Sequence, residues 1–159
     1  MNYFYLDTCI LVTLLTKKDK RRATVIQALN MLMSIEDAVL VTSDFTFVEM
    51  AKVLINSFKQ SPKTTAKQIN TITKEGKIDG FEFQILSTSP SNDYSFDQFW
   101  MDVGENMSLY NPGWGDSIHC VIMRNNNVEN ILSLDAKDDF EIVRGIRLMH
   151  PEDIVQAEL

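Results

Sequence analysis

The chain is poor in the residues that bind soft metals or build disulfide frameworks: two histidines and two cysteines in 159 residues. Cys9 and Cys120 each fall inside an apolar helical pattern without metal-ligand spacing, which predicts reduced core thiols rather than a disulfide or a zinc site. Neither His119 nor His150 lies near a nucleophile-elbow motif, which argues against a Ser/His/Asp hydrolase. His119, in an apolar helical run, reads as packing, and His150, just before Pro151, reads as a loop residue. No apolar run reaches the ~18 residues a membrane span needs. The start of the chain lacks a basic region followed by an apolar stretch ending in small residues, so a cytoplasmic protein with no membrane partner is expected. Internal repeats are absent, and the one low-complexity segment is the short run Asn125 to Asn127.

Net positive charge is missing as well. Fifteen Lys and Arg against 22 Asp and Glu leave a formal charge of −7, which taken alone argues against a nucleic-acid binder. The distribution qualifies this. Lys17, Lys18, Lys20, Arg21 and Arg22 cluster, and from Met50 to Lys74 the lysines Lys52, Lys59, Lys63, Lys67 and Lys74 stand without a single acid. Such a run is either a solvated helix face or a basic track for RNA, with Lys52, Lys59, Lys63 and Lys67 as the candidate contacts. Composition is otherwise that of a soluble globular chain, 45% hydrophobic and 23% charged, and predicts one domain over residues 1–159.

Periodicity alternates along the chain. Tyr3 to Leu6 read as a short buried strand, and helical spacing follows from Cys9 and again in "RRATVIQALNMLMSI". "AVLVTS" returns to strand character, and "DFTFVEMAKVLINSFK" carries an apolar stripe capped by Ser43 or Asp44. Weak helical periodicity between Thr64 and Ile72 precedes a third strand in "FEFQILS". Phe96, Phe99, Trp100, Val103 and Met107 make one helical face, "NPGWG" breaks the chain, and "DSIHCVIM" restarts a helix. "NILSL" is a fourth strand and "IRLM" a short closing one before "HPEDI". Strands alternating with helices predict a parallel sheet covered on both faces, a three-layer α/β/α sandwich.

In open parallel sheets, sites form outside the carboxyl ends of the strands. Asp7 ends the first strand, Asp135 ends the fourth, Glu49 sits early in the helix leaving the second, and Asp116 opens a helix running toward the fourth. Each acid also has a structural explanation. Asp7 and Asp116 are placed to cap helices, Glu49 to close a capping box with Thr46, and Asp135 to end a strand in a turn. Their conjunction on one edge points further. Carboxylates forced together either take up protons or surround a divalent cation, and oxygen ligands without histidine or thiolate favour Mg²⁺ or Mn²⁺ over zinc. Such a cation activates water and neutralises charge on a phosphoryl group, which is the chemistry of phosphodiester hydrolysis.

"YLDTCIL", "TSDFTFVEM", "GDSIHCVI" and "ILSLDAKDDFEIVRGIRLMHPED" resemble, in order, the four acidic motifs of the PIN domain, and the resemblance spans nearly the whole chain. The tail is similar to that of the VapC-like toxins of toxin–antitoxin pairs. The resemblance implies a metal-dependent ribonuclease cutting single-stranded RNA, with sheet order 3-2-1-4-5. It implies Asp7, Glu49, Asp116 and Asp135 as catalytic metal ligands for Mg²⁺ or Mn²⁺, with Thr8 and Ser133 as supporting hydroxyls and Asp138 or Asp139 as outer acids. An antitoxin protein and a second copy of the chain are the protein partners it suggests. The chain departs from the pattern at Ser117, where the family commonly has alanine, at Trp114, and in the long span from Gly80 to Gly113.

Other classes fit less well. A haloacid-dehalogenase-type phosphatase needs a second aspartate two residues after its nucleophile, and that position is Cys9. A non-catalytic PIN-like module that binds RNA or protein remains the alternative, with the acids serving only as caps.

Overall fold

The computed structural model describes residues 1–88, 93–135 and 140–157. The apolar run after Met1 forms the central strand, β1 (Asn2–Leu6), which leads into α1 (Thr8–Leu15) and α2 (Arg22–Met33). Next come β2 (Ala38–Ser43), α3 (Asp44–Asn56) and α4 (Pro62–Glu75), then a hairpin of β3 (Lys77–Ile78) and β4 (Phe81–Glu82) before β5 (Gln84–Leu86). The remaining elements are α5 (Phe96–Tyr110), α6 (Trp114–Asn125), β6 (Asn130–Leu132), β7 (Arg147–Met149) and α7 (Pro151–Gln156).

Five strands pair in the order β5-β2-β1-β6-β7, every neighbour parallel. Counted among these sheet strands alone, this is the expected order 3-2-1-4-5. Direction reverses at β1: the chain builds outward through β2 and β5, then returns to lay β6 and β7 on the other side. That makes the carboxyl ends of β1 and β6 a switch point, where a crevice opens.

Alternation along the strands sends side chains to two cores. Phe4, Leu6, Leu40 and Leu132 pack with α1, α2 and α3, whereas Tyr5, Val41 and Ile131 pack with α5 and α6. Helices therefore cover both faces of the sheet, and strands buried on both faces read as continuous apolar runs. No helix among the described residues is long and apolar enough to cross a membrane.

Local chemistry sets the ends. Ser43 caps α3 by accepting from Thr46 N, and the Thr46 side chain answers in a capping box, so the box joins Ser43 to Thr46 and not Thr46 to Glu49. Ser61 caps α4 with Pro62 just inside, and Gly76 closes it in the left-handed conformation at φ +60°. These signals carry the helix to Pro62–Glu75, beyond the Thr64 to Ile72 stretch that periodicity marks.

Two expectations change, and one stretch to which the sequence reading gives no element forms one. "FEFQILS" is two strands: Phe81 and Glu82 turn back on β3, and after Phe83 only Gln84–Leu86 join the sheet. The helix carrying Asp116 starts at Trp114 with Gly113 as its cap, so Asp116 lies within the first turn and does not open it. "HPEDI" forms α7, with Pro151 at its first position and Glu152 and Asp153 in its first turn.

Candidate active site

Asp7 follows β1 and caps α1: Oδ1 accepts from Thr8 N at 2.6 Å. Its other oxygen, Oδ2, accepts from Ser133 Oγ at 2.7 Å and from the Cys9 thiol at 3.2 Å. Capping and site placement are thus one arrangement, in which the strand end fixes the carboxylate and the helix end orients it. Glu49, on the second turn of α3, accepts from Thr8 Oγ1 at 2.7 Å, which ties the acid of one helix to the hydroxyl beside the other acid. Ser133, fully buried just past β6, donates to Asp7 and accepts from Asp135 N at 3.0 Å, so it links both strand ends.

These acids line a cleft of about 720 Å³ to which Asp7, Glu49, Asp116 and the exposed Asp135 all contribute. Among the described residues, two sets bring possible ligand atoms within 4.8 Å of one another: Asp7, Glu49 and His119, and Asp7, Cys9 and Asp135. Asp116 faces the same cleft outside both sets. Asp138 and Asp139 lie outside the described residues. Lys52 lines the cleft, as does Arg21, whose guanidinium pairs with Asp19 at 2.8 Å. Lys59, in a left-handed turn after α3, and Lys63 and Lys67, on α4, are exposed and do not line it.

Histidine and thiol are present at the carboxylates, contrary to the packing role expected of His119 and the core position expected of Cys9. His119 Nε2 donates to Glu49 Oε2 at 2.7 Å and lies 3.7 Å from Asp7 Oδ1. Its Nδ1 is 2.7 Å from the Tyr5 hydroxyl, which itself donates to Ser43 Oγ at 2.6 Å. With that proton committed to Ser43, the Tyr5 oxygen is left to accept, and an imidazolium donating from both nitrogens satisfies every member of the chain.

The electrostatics agree. Burial pushes the His119 imidazole toward neutrality, but the Glu49 hydrogen bond and the charges of Asp7, Glu49 and Asp116 outweigh it and raise its pKa. Burial likewise raises Glu49, and its bonds to His119 and Thr8 with the nearby Lys52 more than reverse that, so the carboxyl stays below its usual range. Clustered acids are expected to be relieved by protons or a cation; here the His119 N–H against Glu49 takes part of that role. Burial and the Asp7 charge hold the Cys9 thiol protonated. Cys120 is the core thiol expected, pushed up to about 12 by burial.

A divalent cation suits this donor set. His119 and Cys9 present N–H and S–H bonds to the carboxylates, so oxygens remain the available donors, and oxygen donors suit hard cations. The glycines of "NPGWGD" make room for those oxygens. A Cβ on Gly115 would stand 2.5 Å from Glu49 Oε1, and one on Gly113 would stand 2.7 Å from Asp116 Oδ2. In the sequence this stretch reads only as a chain break. The signal it does offer is His119 three residues after Asp116, a spacing that places both on one side of a helix.

Comparison with known proteins agrees with this fold. The family model described as PIN domain matches residues 4–145. VapBC2 from Rickettsia felis, solved bound to a DNA fragment from its promoter, superposes with a TM-score of 0.62 at 13% identity, covering 93% of this chain and 98% of that one. VapC20 of Mycobacterium tuberculosis, a toxin that cleaves the sarcin–ricin loop, gives 0.61 at 15% identity over 91% and 98%. A toxin–antitoxin complex from Klebsiella pneumoniae gives 0.52 at 20% identity over 95% and 98%. At these identities the likeness is one of fold. No curated protein matches the sequence.

Proposed function

The chain belongs to the PIN domain family, and on that premise we propose that it is a divalent-metal-dependent endoribonuclease that cuts single-stranded RNA. The observation that carries this reading is the convergence of Asp7 and Glu49, from different elements, on Thr8, whose backbone N–H bonds the first and whose hydroxyl bonds the second, and on one imidazole, 3.7 Å from Asp7 and 2.7 Å from Glu49. A pair of helix caps would need no such link. Asp116 and Asp135 complete the acidic wall of the cleft.

Asp7, Glu49, Asp116 and Asp135 would hold Mg²⁺ or Mn²⁺. When bound, such an ion supplies an activated water and charge neutralisation at the phosphoryl group. The chain's own residues do the rest. Thr8 and Ser133 each spend a hydroxyl proton on a carboxylate and so keep its free lone pairs turned to the cleft. His119, locked by Tyr5, prevents Glu49 from swinging away. Lys52 and Arg21 at the cleft offer charge to the phosphates flanking the cut, and Lys59, Lys63 and Lys67 extend that offer beyond it.

The toxin–antitoxin neighbours support a toxin role with a protein antitoxin as partner, and one unit over residues 1–159. The test is Mn²⁺-dependent cleavage of single-stranded RNA by the purified chain. Asp7→Asn and Asp135→Asn are expected to abolish cleavage with the circular dichroism spectrum unchanged. Full activity in either folded variant would overturn the assignment.

A further inference from the structure

The chain's two tryptophans stack on each other beside the acidic cleft: Trp100 and Trp114 lie with ring centroids 6.0 Å apart and planes 13° from parallel. They belong to a row of rings that begins in the site. The Phe45 ring is 5.3 Å from His119 and 5.7 Å from Trp114, and Trp100 continues to Phe96 at 5.8 Å. The row emerges into solvent, with Trp114 55%, Trp100 36% and Phe96 74% exposed. Single exposed apolar side chains are ordinary, but a contiguous row ending at a cleft is not scattered surface. A recess of about 250 Å³ opens along it and shares Phe45 and Trp114 with the acidic cleft.

We propose that this ledge is a stacking subsite for an unpaired nucleobase of RNA, next to the phosphate held at the carboxylates. The proposal rests on the nuclease reading above and extends it to how substrate is gripped. Position is the first argument. Trp114 is two residues before Asp116, and a base is tethered to its own phosphate through a single sugar, so a phosphate at the acids brings its base to the ledge.

Charge is the second. The chain carries −7 overall, its cleft is walled by carboxylates, and Asp97, Asp102 and Glu105 lie on the helix that carries Trp100. Cations alone are a poor source of affinity here. Stacking is independent of charge, and every base has a π-face to offer. A duplex base has already spent that face on its neighbours, so the ledge also selects single strands. The recess holds about 250 Å³, room for a single base and too little for successive turns of a helix about 10 Å across.

Because Trp100 and Trp114 are the only tryptophans, fluorescence excited at the red edge of the absorption band, where the four tyrosines do not absorb, reports on the ledge. The experiment titrates the intact chain, in Ca²⁺ so that the carboxylates hold an ion and can accept a phosphate, with an oligoadenylate octamer whose integrity is checked after each titration, with linear polyphosphate, and with a leucine-rich amphipathic helical peptide. The octamer is expected to quench, and polyphosphate, which carries charge without bases, to leave the emission unchanged. Trp114→Ala, read through Trp100, should weaken octamer binding about 5- to 150-fold, the range for losing one stacked base. Trp114→Phe should recover most of it. Phe96→Ala, at an exposed position, gives a second loss that does not depend on Trp114→Ala folding. No quenching by the octamer, equal quenching by polyphosphate, or unweakened binding by Trp114→Ala overturns the proposal. Quenching by the peptide alone overturns it in favour of a protein occupant. Cleavage in Mn²⁺ is scored separately: a chain that quenches but never cuts loses the nuclease reading, and one that cuts without base-dependent quenching loses the ledge.

Discussion

The His119 imidazole donates to Glu49 Oε2 across 2.7 Å while only 1% of the histidine side chain meets solvent. A cation that arrives from solution therefore meets an acidic cluster already engaged from beneath by an N–H donor. This changes what metal should do to the fold, because the repulsion it would relieve is smaller than four bare carboxylates imply.

His119→Leu removes the imidazole and takes one hydrogen bond from each of two groups, leaving the Tyr5 hydroxyl with Ser43 and Glu49 with Thr8. Breaking a buried pair from one side costs about 3 kcal/mol at the lower end of such cases. For a chain of this size the melting temperature should fall by about 6–12 °C in EDTA. His119→Gln, which keeps a donor, should lose about half as much. Mn²⁺ should raise the melting temperature of the Leu variant more than that of wild type. An equal Mn²⁺ response in both would show that the imidazole and the metal act on different charges.

Gly115→Ala separates site geometry from stability. The added methyl meets only the far end of Glu49, at 2.5 Å, so the fold can adjust by moving that carboxylate. Alanine also favours the helix over glycine by up to about 1 kcal/mol. The variant is expected to melt at or slightly above the wild-type temperature and yet to bind Mn²⁺ more weakly by calorimetry. Unchanged Mn²⁺ affinity would remove Glu49 from the ligand set.

How far the sequence reaches is visible in these residues. The strands themselves are legible because buried parallel strands leave apolar runs, and Asp7 stands directly after one such run and Asp135 three residues after another, whereas the strand order comes from the family resemblance. The role of His119 is not legible, since it depends on which helix faces Tyr5 and Glu49 across the sheet, and a histidine in an apolar run looks the same either way. Gly113 and Gly115 are likewise hidden: their lack of side chains matters only once Glu49 and Asp116 are known to crowd them. The division between β4 and β5 escapes sequence reading because two short strands separated only by Phe83 read as one.

The lysines on α4 and in the turn before it can be tested by salt. Lys59, Lys63 and Lys67 are exposed and stand apart from the cleft, whereas Lys52 lines it. If the three neutralise phosphates, replacing them together by alanine should lower the slope of log K against log salt by about 0.7 for each phosphate left unpaired on single-stranded RNA. Lys52→Ala should instead reduce cleavage more than it alters that slope. A slope unchanged in the triple variant returns these residues to a solvated helix face.

Thermal shift with and without Mn²⁺ distinguishes a metal site from a set of caps. An ion that binds only the folded chain stabilises it by RT ln(1 + [L]/Kd), about 2.7 kcal/mol at a hundredfold excess over Kd. The wild-type melting temperature should then rise by about 5–11 °C. Asp7→Asn keeps an oxygen for Thr8 N, so its cap survives, but it loses its charge beside His119 and its value as a ligand. It should melt somewhat lower than wild type in EDTA and gain almost nothing from Mn²⁺. Asp135 is exposed, so its charge is screened, and Asp135→Asn should melt at the wild-type temperature in EDTA while losing much of the Mn²⁺ gain. Caps alone predict a different pattern, in which each variant shifts by the same amount with or without the ion. An Asp7→Asn variant that still gains the full wild-type increment from Mn²⁺ would leave the cluster as structure only, since the one carboxylate common to both ligand sets would then be dispensable.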